Sequence, residues 1–159
     1  MTLMSPKKSI TGLIVWLLLC YAVASLGALF MPGDWYDGLR KPSWNPPGWI
    51  FGPVWTVLYT MMAVSAWLVW KRGGFAAQHL PLVLFLVQLG LNALWTPLFF
   101  GLHYTGLAFA EIILMWFAIL FTMVQFRRVS RPAAWLLVPY LAWVGFAAVL
   151  NGTLWSLNH

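Results

Sequence analysis

Conventional reactive side chains are scarce in this sequence: three carboxylates, one thiol and three imidazoles. Cys20 stands alone, so no intrachain disulfide can form, and no Cys/His spacing fits a zinc site or covalent haem attachment. His79, His103 and His159 fall in expected loops or at the terminus, and none is placed to ligate a haem iron. No acid pair or nucleophile triad is present, so ordinary hydrolytic or redox catalysis has no support, and no metal or required cofactor is expected. What remains is a sparse polar and aromatic set in apolar surroundings. Gln88 and Asn92 are four apart, hence on one helical face, with Trp95 at the next turn. Interhelical hydrogen bonding and ligand contact are both open to them. Trp143, Ala147 and Asn151 also repeat every four residues, and the small Ala147 leaves room beside an indole wall. Glu111 lies in a long apolar run, where a carboxyl is a functional candidate. Its alternative is a structural acid bonded to a neighbouring helix or to the first loop. Such residues could hold a flat, largely apolar ligand by stacking and dispersion.

The elements that must position these residues follow from composition. The chain has 159 residues, 62% hydrophobic and only 8% charged. Soluble domains average about 25% charged residues, so a soluble monomer is excluded, and disorder and nucleic-acid binding are excluded with it. Five apolar segments reach the 20 or so residues a helix needs to cross about 30 Å of hydrocarbon: 10–31, 49–70, 80–100, 105–126 and 133–155. They are continuously apolar rather than alternating, which argues against a β-barrel. The expected fold is therefore all-α, a single membrane domain built as a five-transmembrane-helix bundle. Lys7, Lys8 and Ala22-Val23-Ala24 resemble parts of a secretory signal. The apolar run continues through Leu29 and Phe30, so a retained helix is expected. Pro53, Pro97 and Pro139 are candidate bends.

Charge sets the expected orientation. Lys7, Lys8, Lys71, Arg72, Arg127, Arg128 and Arg131 share one side, against Arg40 and Lys41 on the other. The positive-inside rule places the N-terminus inside and the C-terminus outside. The basic excess is then topogenic and in contact with lipid headgroups. On that topology the 32–48 loop is outside. Its Pro32, Pro42, Pro46 and Pro47, with Trp35, Tyr36 and Trp44, read as a stiffened lid or as an interfacial turn. Trp55, Asn92, Trp95, Glu111, Ala147 and Asn151 all fall in the outer half, with Trp143 near the midplane. An aromatic, sparsely polar pocket beneath the loop is expected. Of the twelve Trp residues, Trp16, Trp67, Trp70, Trp135 and Trp155 suit interfacial belts. Trp35, Trp44 and Trp49 belong to the loop region, Trp55, Trp95 and Trp143 to the pocket, and Trp116 has no assignment. Ala142, Gly145, Ala148 and Gly152 form a small-residue stripe suited to close helix packing.

An ordered set of motifs resembles one family. It comprises Trp35-Tyr36-Asp37, Lys41-Pro42-Ser43-Trp44-Asn45-Pro46-Pro47, Pro53-Val54-Trp55 with Tyr59, Asn92-Ala93-Leu94-Trp95-Thr96-Pro97 with Phe99-Phe100, and Pro139-Tyr140-Leu141-Ala142-Trp143 with Leu150-Asn151. This set is similar to that of the translocator protein family, also called tryptophan-rich sensory protein or peripheral-type benzodiazepine receptor. The resemblance covers about Phe30 to Leu157. It implies a five-helix bundle, commonly a homodimer, that binds porphyrins such as protoporphyrin IX or haem, sterols and benzodiazepine-type ligands under the first loop. Carried over by position, the ligand contacts are Tyr36, Trp44, Trp55, Asn92, Trp95, Trp143 and Ala147, and Glu111 stands where the family has an acid. For bacterial members it implies light-dependent porphyrin degradation, with Trp55 and Trp143 at the implicated positions. The animal cholesterol motif is broken by Gly152 and Ser156, which argues against specific cholesterol binding and for a bacterial member in the cytoplasmic membrane, with the outer membrane as a minor alternative.

Three functional readings follow from the sequence. They are a sensory or regulatory protein binding tetrapyrroles, a light-dependent porphyrin-degrading protein, and a small transporter of hydrophobic molecules. The missing internal repeat and the lone Glu111 weigh against the third.

Overall fold

A computed structural model describes residues 4–159. Five helices are long and apolar enough to cross a membrane: α1 (Pro6–Ala28), α2 (Gly48–Trp70), α3 (His79–Gly101), α4 (Thr105–Val129) and α5 (Arg131–Asn158). The described residues contain no strand. α1 begins ahead of the apolar run because Pro6 suits a first helical turn, where its missing N–H would have no partner anyway.

The three prolines behave differently. Pro53 lies in the first turn of the α-helical part of α2, where it interrupts nothing. Pro97 opens a π turn, Pro97–Gly101, closed by Leu102 N–H donating to the Pro97 carbonyl at 2.8 Å. Pro139 lacks the N–H that would bond the Trp135 carbonyl, and α5 breaks at Leu137 into Arg131–Leu136 and Val138–Asn158. The turn from α2 to α3 uses Gly73 and Gly74 at φ +115° and +66°, left-handed geometry that a Cβ would strain.

The helices close into a ring: α1 packs on α2, α2 on the first part of α5, α5 on α4, α4 on α3, and α3 back on α1. The α2–α5 seam is tightest at the Arg131–Leu136 end, where Ser65 Oγ donates to the Ala133 carbonyl at 2.7 Å. Beyond Leu137 the two helices touch far less. Trp67 Nε1 donates to the Ser9 carbonyl at 2.8 Å, and the Tyr21 and Thr60 hydroxyls bond each other. Ser9 meeting Trp67, and Ser65 meeting Ala133, bring Lys7, Lys8, Lys71, Arg72 and Arg131 to one end of the bundle. The 32–48 loop lies at the other end.

The small-residue stripe on α5 receives aromatic side chains from α4. A Cβ on Gly145 would meet Trp116 Nε1 at 3.2 Å, and one on Gly152 would meet a Phe109 ring carbon at 2.8 Å. Ala148 between them is buried, whereas Ala142 is exposed. The outer surfaces carry exposed Leu18, Leu114 and Val149, as a lipid-facing surface should.

Several tryptophans pack differently from what their positions in the sequence suggest. Trp16 is buried and packs edge-on to Phe85 at 5.5 Å. Trp70 lies on Gly12, and Trp67 is held by Ser9. These three join helices rather than forming a belt. Trp49, assigned to the loop region, is 74% exposed and shares the interfacial character of Trp135, at 72%. Trp116 is the side chain that Gly145 accommodates.

Candidate functional site

The site lies where α2 and α5 part and the loop folds over the helix ends. Within the loop, Asp34–Asp37 forms one helical turn that presents Trp35 and Tyr36. The Tyr36 ring meets Phe99 at 6.3 Å and Phe100 at 5.4 Å, both edge-on. Trp35 meets Phe99 at 5.8 Å and stacks on His103 at 3.9 Å. His103, expected in a plain connecting loop, therefore supports the loop at the rim. Tyr36 Oη donates to Asn45 Oδ1 at 3.3 Å, and Lys41 Nζ sits 4.7 Å from the Tyr36 ring centre. Burial pushes the Tyr36 phenol above its ordinary pKa, and the Asn45 bond partly offsets this. Asn158 ties the loop to the end of α5: it accepts from Arg40 N–H at 2.8 Å and donates to the Arg40 carbonyl at 3.0 Å.

Beneath the loop is an aromatic layer. Trp95 stacks on Phe99 at 5.0 Å and meets Phe100 edge-on at 5.9 Å. Trp143 meets Phe51 at 5.8 Å and Phe146 at 5.5 Å, and Trp44 reaches the same Phe146 from above at 6.0 Å. Trp55, one turn after Phe51 on α2, packs against Tyr59 at 5.5 Å and Tyr140 at 6.3 Å. Trp55, Trp95, Trp143 and Ala147 are all half-buried, so each keeps some open surface. The structure thus gathers Tyr36, Trp44, Trp55, Trp95, Trp143 and Ala147 around the same end. The sequence reading did not place Phe51 or Phe146 there, because isolated phenylalanines in apolar helices look like ordinary core.

A polar layer lies deeper. Tyr59 Oη donates to Asn92 Oδ1 at 2.6 Å, Asn92 Nδ2 donates to Tyr140 Oη at 2.9 Å, and Tyr140 Oη donates to Gln88 Oε1 at 2.7 Å. This chain ties α2, α3 and α5 together. Asn92 has spent both polar atoms on the protein, so interhelical bonding is its observed role. Tyr59 and Tyr140 are its partners, a pairing that no spacing within one helix could indicate. Asn151 makes a second link, accepting from Trp95 Nε1 at 3.0 Å and donating to the Thr105 carbonyl at 2.9 Å. The Trp95 indole is fixed by that bond.

Three buried groups have no hydrogen-bond partner among the described residues: both oxygens of Glu111, Gln88 Nε2 and Trp143 Nε1. The bonded structural acid considered for Glu111 is not what the fold shows. Its carboxyl touches neither a donor on a neighbouring helix nor the loop, and it is 7% exposed. The arrangement can therefore do two things chemically. Its aromatic layer offers ring faces and edges to a flat ligand, and Trp143 Nε1 is a buried donor at that layer without a protein partner.

The TspO/MBR family profile matches residues 16–156. The tryptophan-rich protein TspO of Chlorobaculum tepidum is 44% identical, over 96% of this chain and 99% of that protein. The human translocator protein is 45% identical, over 84% of this chain and 82% of its own length. A tryptophan-rich sensory protein of Cereibacter sphaeroides is 41% identical, over 87% of this chain and 86% of its own.

Proposed function

The chain belongs to the TspO/MBR family, and from that premise we propose that it binds porphyrins and other flat hydrophobic ligands between the 32–48 loop and the aromatic layer, in a sensory or regulatory role. It is an integral, multi-pass membrane protein. The observation that carries the reading is the half-buried trio Trp55, Trp95 and Trp143 under a loop that lands aromatic side chains on the same layer. Trp95 is held in place by Asn151, while the indole N–H of Trp143 is buried without a protein partner, so an acceptor on a bound ligand would satisfy it. The sensory role rests on kinship with the Cereibacter sphaeroides protein of that name. The proposed setting is a bacterial cytoplasmic membrane with the N-terminus inside.

Titrating protoporphyrin IX against the purified protein and following tryptophan emission tests this. Saturable quenching is expected, weakened by Ala147→Phe, which adds a ring one helical turn from Trp143, and by Trp143→Phe. Absence of saturation, or curves unchanged from wild type in both variants, would sink it. A second reading, light-dependent porphyrin degradation, is favoured by one geometric point. Trp55 contacts both Tyr59 and Tyr140, so an oxidised indole there would have oxidisable phenols beside it. Illuminating the same complex separates the readings: a new bilin-like absorbance that disappears in Trp55→Phe supports turnover, and an unchanged porphyrin spectrum leaves binding alone.

A further inference from the structure

A second concavity lies far from the loop. A groove of about 390 Å³ runs between α1, α3 and the turn that joins α2 to α3. Its two ends differ in chemistry. Lys8 and Thr11 stand at one end, and the rest is lined by apolar groups including Val15, Leu19, Phe75 and Leu86. Buried Trp16, stacked on Phe75 at 6.3 Å, backs it. Val15 is 56% exposed and Leu86 37%, so the apolar stretch opens sideways, toward the surface that faces lipid.

Position along α1 gives the groove a length. Lys8 lies in the first turn, at headgroup depth. Leu19 is eleven residues further on, about 16 Å at 1.5 Å per residue. That is close to half of a hydrocarbon core of about 30 Å, the depth of one leaflet. Charge at the mouth is one-sided. Lys8 stands at the mouth itself and Lys7, Lys71 and Arg72 lie at the same end of the bundle, while Asp34 and Asp37 are at the opposite end and Glu111 is buried in the bundle. Lys71 lies over the Trp67 ring at 4.4 Å. Among the described residues no carboxylate faces Lys8.

We propose that this groove is a binding site for an anionic phospholipid, with its headgroup phosphate on Lys8 and one acyl chain laid along Val15, Leu19 and Leu86. Cation at the rim, apolar channel one leaflet deep and lateral opening are what such a lipid needs. A water-soluble anion would find no use for the channel, and a zwitterionic lipid would gain less from the unopposed cations.

Native mass spectrometry of the full chain in mild detergent tests this with phosphatidylglycerol and phosphatidylcholine of matched acyl chains. The wild type is expected to retain phosphatidylglycerol preferentially. Lys8→Gln should lower that retention about fivefold, since a basic residue near an anionic surface contributes about that factor. Leu19→Trp, which obstructs the channel, should reduce retention of both lipids. Arg127→Gln, at the same end but outside the groove, should change neither. Equal retention of the two lipids by the wild type overturns the proposal, as does an equal effect of Lys8→Gln and Arg127→Gln. A lipid-free dimer that Leu19→Trp abolishes also overturns it, by assigning the groove to a second copy of the chain.

Discussion

Asn92 and Trp143 both look like ligand contacts in the sequence, but the fold separates their roles. Asn92 is bonded on both polar atoms, whereas Trp143 Nε1 has no hydrogen-bond partner among the described residues. Asn92→Ala should therefore destabilise the bundle, because it strands the buried Tyr59 hydroxyl and removes a donor from Tyr140. A loss of about 1–3 kcal/mol is expected for a stranded buried group. Tyr59→Phe removes a bond without stranding a donor, and should cost nearer the 0.6 kcal/mol or so typical of interhelical bonds in membranes. Thermal unfolding in one detergent ranks the two, and equal losses would contradict the network. Trp143→Phe should leave the melting temperature almost unchanged while weakening porphyrin binding. Glu111→Gln should likewise be nearly neutral for stability, since neither oxygen has a protein partner. A large drop in its melting temperature would show that the carboxyl is bonded after all. The residue types were legible in the sequence. Which polar atoms are spent was not, because each bond joins residues more than thirty positions apart.

Helices were legible from apolar runs of membrane length, while their irregular turns were only half so. Pro97 and Pro139 coincide with a π turn and a break, whereas Pro53 falls in a first turn and has no such effect. Proline disrupts a helix only where four residues already precede it, so position within the element decides. The α4–α5 seam gives a packing prediction. Gly152→Leu would press on Phe109 and should cost about 1–3 kcal/mol by overpacking. Combining it with Phe109→Ala should restore most of the melting temperature, and failure of that rescue would point to another cause. The loop is an element of its own, and its hydrogen-bonded tie to the helices is a single side chain. Asn158→Ala removes both bonds to the Arg40 backbone. Faster porphyrin association and dissociation are expected in stopped-flow quenching, with the aromatic layer intact. Unchanged rates would mean that the Tyr36 and Trp44 contacts alone hold the loop.

At the scale of the molecule, the ring of five helices gathers basic residues from α1, from the end of α2 and from the α4–α5 junction at one end. Orientation follows if the positive-inside rule holds for this chain. Ser43→Cys in the loop should react with a membrane-impermeant maleimide in intact cells, and Ala76→Cys between α2 and α3 only after permeabilisation. Native Cys20 is buried and gives little background. The reverse pattern would invert the topology and move the loop to the cytoplasmic side.

The sequence by itself determined the solvent in which this protein folds, the number of crossings and the end of the bundle that carries its charge. Those properties are sums over local segments: hydropathy over about twenty residues, and charge counted between them. The tertiary structure alone decided which tryptophans face the loop and which join helices. It made Trp16 and Trp70 packing residues, set Phe51 and Phe146 around Trp143, and closed the Tyr59–Asn92–Tyr140–Gln88 chain. In a helix that is apolar all round, the pattern marks no buried face. The rotation of each helix about its axis is then set by the shapes and polar atoms of its neighbours, and those are specified elsewhere in the chain.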